Sequence, residues 1–120
     1  MCNLVKVQID GKDIVLADIK KDCIHNIVDA AKKCKYINRI ILFGSALEDR
    51  CTEESDVDIA VFGSLSKNKC LSTKEYKDFT RQLYSFDDFN QTYDILYFKN
   101  DSKDDSFIRR EIEKGAVIYG

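Results

Sequence analysis

Between Arg39 and Gly63 the chain reads RIILFGSALEDRCTEESDVDIAVFG, and no other stretch limits the possible folds so tightly. Ile40, Ile41, Leu42 and Phe43 form a continuous apolar run, as expected of a strand buried on both faces. Gly44 then allows a tight turn and a close approach of backbone to a ligand. Ser45 to Arg50 is expected as a short helix whose first N–H groups are unpaired, a setting that attracts phosphate. Asp56 and Asp58 follow at the start of the next strand, near 56–62. Alternation along a strand places these two carboxylates on one face and Val57, Ile59 and Val61 on the other. Neighbouring carboxylates repel unless a cation lies between them, and a hard divalent ion with oxygen ligands, Mg²⁺ above all, suits that place beside phosphates.

The rest of the chain supplies elements to pack around this core. Leu4–Ile9 and Ile14–Leu16 flank the turn signal Asp10-Gly11-Lys12-Asp13, which predicts a β-hairpin that covers an edge or a helix. Asp18 is positioned to cap a helix over 19–35, whose apolar stripe is Ile19, Cys23, Ile24, Ile27, Val28, Ala31 and Cys34, with the lysines opposite. His25, the single histidine, has no partner in the sequence that would make it catalytic, and reads as an ordinary helix residue. Residues 63–71 read as a loop. Ser72-Thr73-Lys74-Glu75 has the form of a capping box with Ser72 as N-cap, opening a helix to about 87 with Tyr76, Phe79, Leu83 and Phe86 facing the core. A strand near 92–98 carries Asp94 among apolar residues, where a carboxylate is costly to bury unless paired or metal-bound. Residues 100–105 read as a polar loop, 103–114 as a helix with Arg109 and Arg110 on its solvated face and Gly115 as its C′ residue, and 116–119 as a last short strand.

At 120 residues the chain suits a single domain with one core, taken here as 1–120 with a hairpin extension over 1–17. No apolar run approaches membrane-spanning length, and the N-terminus lacks the pattern of an export signal, so a cytoplasmic protein is expected. Five scattered cysteines without a C-x-x-C pair point to free thiols. A net charge of −2 argues against general nucleic-acid binding, which needs a basic face.

The pattern G-S-x(10)-D-x-D, with a strand on either side, resembles the nucleotidyltransferase superfamily that includes DNA polymerase beta, and more closely its minimal nucleotidyltransferases, the MNT or MntA-like group. Ser55 before the first aspartate, Asp94 in TYDILYF and the closing FIRREIEKGAVIYG add to the likeness, which runs from about Ile24 onward. It implies an α/β (α+β) nucleotidyltransferase fold, a mixed twisted sheet flanked by helices, with Asp56, Asp58 and Asp94 converging at one end of the sheet beside Gly44-Ser45. Those three aspartates are the implied catalytic and metal-binding residues for two Mg²⁺ ions, with Asp94 completing the set as general base. Gly44, Ser45 and Ser55 are the implied nucleotide-binding residues, and ATP the substrate. Many relatives carry a G-S-R-A-R-G pattern; here positions 46–49 are Ala46, Leu47, Glu48 and Asp49, leaving Arg50 as the nearby cation.

Three functions follow from the likeness. The first is a protein adenylyltransferase that moves AMP onto a tyrosine of a HEPN-type partner, as the antitoxin of a toxin–antitoxin pair. The second is a transferase for a small hydroxyl compound, although such enzymes usually carry a further acceptor-binding domain. The third is a non-catalytic module that keeps the fold and binds a partner.

Overall fold

β1 (Leu4–Ile9) and β2 (Lys12–Ala17) pair antiparallel as the expected hairpin. The turn is tighter than the four-residue signal suggests. Asp10 and Gly11, at φ 50° and 78°, close it alone, with the left-handed backbone that matches the twist of the strands. Ile9, Ile14 and Leu16 enter the main core. β2 also packs against the turn that follows β3, so the hairpin backs the Gly44 region. The Cys2 N–H donates to Asp49 O at 3.1 Å, and Lys12 Nζ reaches Gly120 O at 2.8 Å. The computed structural model describes residues 2–100, 110 and 112–120, and all structural statements concern these.

A single 3-10 turn, Asp18–Lys20, leads into α1 (Lys21–Lys32). Cys23, Ile24, Ile27, Val28, Ala30 and Ala31 bury the inner face of α1, and His25 is exposed. Two assignments change at its start. Asp18 makes no capping bond, and Ile19 lies outside the buried stripe while Lys20 lies inside it, because the 3-10 turn shifts the angular phase of these residues relative to α1.

The central sheet has the order β5-β4-β3-β6. β3 (Ile37–Phe43) pairs antiparallel with β4 (Val57–Gly63) and with β6 (Ala116–Tyr119), whereas β4 and β5 (Tyr93–Lys99) run parallel. The sheet is therefore mixed, as expected. Its strands read as near-continuous apolar runs because both faces are covered. Val57, Ile59 and Val61 meet the helices in the main core, while Ala60 and Phe62 form a second cluster with Ile41 and Ile112 on the opposite face. Asp58 and Asp94 share the parity of that second face.

Between β4 and β5 the chain crosses over through α2 (Lys67–Leu71) and α3 (Lys74–Ser85). The helix α2 lies where a loop was expected; it is one turn long and buries one side chain, Cys70, too little to leave a periodic signal. It also moves the cap. Ser72 closes α2, and Thr73 caps α3, its hydroxyl accepting from the Tyr76 N–H at 3.2 Å. After α3 the backbone leaves the helical region, with Asp87, Asp88 and Phe89 all at positive φ.

The expected loop over 100–105 and most of the expected helix over 103–114, with Arg109, lie outside the described residues. Arg110, Ile112 and Glu113 are helical. Gly115 is not among the glycines at positive φ, so it is no left-handed C′ residue. A Cβ there would fall 2.9 Å from Ile41 Cγ2 and inside contact distance of Leu42 O, so the glycine lets the chain pass close over β3 before β6 begins.

Candidate active site

The parallel register decides the geometry: Asp58 pairs with Asp94 on the same rung of β4 and β5. Neighbouring strands lie about 4.8 Å apart, so these two carboxylates stand side by side on one face. Phe43 faces Asp58 from β3, and the chain turns immediately afterwards at Gly44, φ 77°. A Cβ on Gly44 would lie 3.1 Å from Asp58 Cγ and closer still to its Oδ2. The glycine thus serves both the left-handed backbone and the close approach of that backbone to the carboxylate.

Asp56 stands one residue before β4 and is exposed, its Oδ1 accepting from the Thr92 hydroxyl. Asp94 is exposed as well, which removes burial as the reason to single it out; its position beside Asp58 is the reason that remains. Burial, then Asp94, then Asp56 push the Asp58 carboxyl above its ordinary range. Asp58 thus feels the charge of both other aspartates, that of Asp94 more strongly than that of Asp56. Among the described residues, no group of three His, Cys, Asp or Glu side chains is set out as a ready-made metal cage. The donor set is oxygen alone, and the repulsion that burdens Asp58 is of the kind a hard divalent cation relieves, so the residues fit such an ion in chemistry.

Ser45 sits in a 3-10 turn, Gly44–Leu47, shorter than the helix expected over Ser45–Arg50. Ala46 is fully buried there, which leaves that position no route to a ligand. The Ser55 hydroxyl faces its own loop, accepting from the Thr52 N–H at 3.0 Å. Ser55 O accepts from Lys20 Nζ at 2.8 Å.

Beside Gly44 opens a cleft of about 360 Å³, lined by Phe43, Gly44, Leu47, Glu48, Arg50, Lys114 and Gly115. Arg50 pairs with Glu48 across two residues. Lys114 comes from the C-terminal segment and was not visible as a site residue in the sequence; only the antiparallel return of β6 along β3 brings it to the Gly44 turn. Lys20 was missed too. Apolar periodicity assigns a lysine to the solvent side, and nothing local reveals that its partners lie at Glu53, Ser55 and Gln91.

No curated protein matches the chain. The family model for polymerase beta nucleotidyltransferases matches residues 25–120, which leaves out the hairpin and runs from within α1 to the end of β6. With the Gly44 turn against Asp58 and Asp94 on the same rung of the adjoining strand, the chain belongs to the polymerase beta nucleotidyltransferase family, whose general activity is nucleotidyl transfer.

Proposed function

We propose that the chain is a Mg²⁺-dependent adenylyltransferase that moves AMP from ATP onto a hydroxyl of a protein partner, a tyrosine of a HEPN-type protein, as the antitoxin of a toxin–antitoxin pair. The observation that carries the reading is the rung shared by Asp58 and Asp94, with the Gly44 backbone closed against Asp58. We place the protein in the cytoplasm, in keeping with five cysteines that form no bridge. No described helix is long and apolar enough to cross a membrane.

In this reading Asp56, Asp58 and Asp94 would hold the two Mg²⁺ ions, which when bound would neutralise charge on the triphosphate and on the attacking oxygen. The Gly44 and Ser45 N–H groups and the Ser45 hydroxyl meet the phosphate chain, and Ser55 supports the loop that delivers Asp56. Arg50 and Lys114 offer positive charge from the cleft beside Gly44, in place of the basic residues that relatives carry after Gly-Ser. Asp94 accepts the proton of the incoming hydroxyl, whose oxygen forms the new bond to the α-phosphorus. The bond to the bridging oxygen breaks, and pyrophosphate departs with its electron pair. The domain over 25–120 does this chemistry, and the hairpin over 1–17 is an extension that supports the Gly44 turn from behind.

The test follows label from α-phosphate-labelled ATP into a co-purified partner. Transfer to a tyrosine supports the reading. A wild-type protein that binds its partner tightly and never transfers label, whichever nucleotide is offered, hands the case to a non-catalytic binding module. Transfer to a small hydroxyl compound instead makes it a small-molecule nucleotidyltransferase.

A further inference from the structure

Lys20 is 1% exposed, and its ammonium has three hydrogens and three acceptors: Glu53 O at 3.1 Å, Ser55 O at 2.8 Å and Gln91 Oε1 at 2.7 Å. All three acceptors are neutral. A buried cation that meets dipoles in place of a carboxylate is a costly way to fill a core, and an apolar side chain of the same length would fill the same space. What the lysine does that an apolar residue cannot is join three stretches of chain at one point.

Two of those stretches lead into the carboxylate site. Glu53 and Ser55 belong to the segment that delivers Asp56, a segment with no helix or strand of its own. Gln91 stands directly before Thr92, and its amide nitrogen donates to Ser55 O at 3.1 Å and to Thr92 O at 2.7 Å. Thr92 O also accepts from the Val57 N–H at 3.1 Å, the first bond between the chains entering β4 and β5. The Thr92 hydroxyl then donates to Asp56 Oδ1. A continuous path of hydrogen bonds thus runs from the Lys20 ammonium through Gln91 and Thr92 to the Asp56 carboxylate.

We propose that Lys20 is a positioning residue for the carboxylate site: by fixing the 53–55 segment and Gln91, it sets the Thr92 hydroxyl against Asp56 and so sets how tightly the site takes a divalent cation. The proposal rests on the nucleotidyltransferase reading of Asp56, Asp58 and Asp94. Groups that orient metal-binding side chains by hydrogen bonds are typically worth about 10–100-fold in metal affinity, although they touch neither metal nor substrate.

The experiment measures Mn²⁺ binding in the presence of ATP, by calorimetry or by loss of the free-ion electron paramagnetic resonance signal, alongside thermal melts. The variants are Thr92→Val, which keeps the branched shape at an exposed position and removes the hydroxyl, and Lys20→Met. Each is expected to weaken Mn²⁺ binding by about tenfold. Thr92→Val should melt like the wild type, because no buried group is lost with the hydroxyl. A role confined to folding would lower the melting temperature of Lys20→Met and leave its Mn²⁺ affinity as in the wild type, and that result overturns the proposal. So does wild-type affinity in Thr92→Val. If Lys20→Met does not fold, Gln91→Leu cuts the same path and decides by the same comparison. A wild-type protein that takes up no Mn²⁺ with nucleotide overturns the nucleotidyltransferase reading itself, and this proposal with it.

Discussion

Gly44 and Asp58 are packed so closely that the glycine has no room for a side chain: a Cβ would sit 3.1 Å from Asp58 Cγ, on a backbone whose φ of 77° already disfavours any L residue. Gly44→Ala therefore carries two costs, about 1–2 kcal/mol for the left-handed conformation and the displacement of Asp58. The expected outcome is a lower melting temperature together with loss of nucleotide binding. A variant with wild-type nucleotide affinity would show that the Asp58 carboxylate can move without consequence.

Asp58 makes the protein without divalent ion sensitive to pH. Its folded-state affinity for protons lies above that of the unfolded chain, where the ordinary value is 3.8. The folded state accordingly holds more protons in the window just above that value, and the contribution of Asp58 to stability is complete below it and declines as pH rises through the raised folded value. In chelator at neutral pH, Asp58→Asn should melt higher than the wild type, and the difference should vanish in acid. Melts of both proteins across pH 3–8, in chelator, check this; a variant that melts lower at neutral pH contradicts it.

Mg²⁺ with ATP should reverse that burden. A ligand that binds only the native state contributes about 2.7 kcal/mol at a hundredfold excess over its dissociation constant. Thermal melts with Mg²⁺-ATP, with Mg²⁺ alone and with neither should rank in that order. The absence of any shift at millimolar ligand would mark the site as vestigial.

Asp94→Asn removes charge and keeps shape. Transfer of labelled AMP should fall on the order of a hundredfold or more, the usual cost of one well-placed electrostatic group, while nucleotide binding survives better because Asp56, Asp58 and the Gly44 turn remain. Since Asp94 is exposed, little change in the melting temperature is expected from relief of burial. Labelled transfer and binding, measured on the same preparations, separate the two effects.

Lys114→Gln tests the cleft beside Gly44. Loss of a positive charge near the triphosphate should raise KM for the nucleotide several-fold with kcat largely retained, and the difference from wild type should shrink at high salt, where exposed charges are screened within about 10 Å. An unchanged KM would remove Lys114 from the phosphate site.

Much of this was readable in the chain before any coordinates. β3 falls on the expected residues, and β4 and β5 begin one residue later than expected, because uninterrupted apolar runs between polar breaks leave little choice. The pairing of Asp58 with Asp94 could be inferred only by likeness, since strand order is not written in any local pattern. Local rules also gave the right chemistry at the wrong position: two hydroxyl residues stand side by side at Ser72-Thr73, and the short α2 takes the first, so the cap falls on the second. Lys20, buried against local expectation, and Lys114, carried in by a returning strand, escape because their surroundings are assembled from distant segments. The exposure of Asp94 escapes for the same reason: its apolar neighbours in sequence say nothing about how far the sheet face is covered at its end.

The parallel pairing of β5 has a consequence for the order in which the molecule comes apart. Among the described residues, β5 lies at an edge of the sheet, bonded to β4 and to no other strand, whereas β3 and β4 each have two strand neighbours. Native proteins open in units of unequal stability, and an edge strand held through one ladder opens at lower cost than the strands behind it. Peeling β5 away takes Asp94 and Thr92 with it, and leaves Asp58 on a β3–β4 ladder that is still intact. Amide protons of β5 should therefore exchange with solvent ahead of those of β3, and loss of catalysis on warming should precede loss of the sheet. The strand that completes the three aspartates is thus one that the protein can lose while the β3–β4 ladder holds.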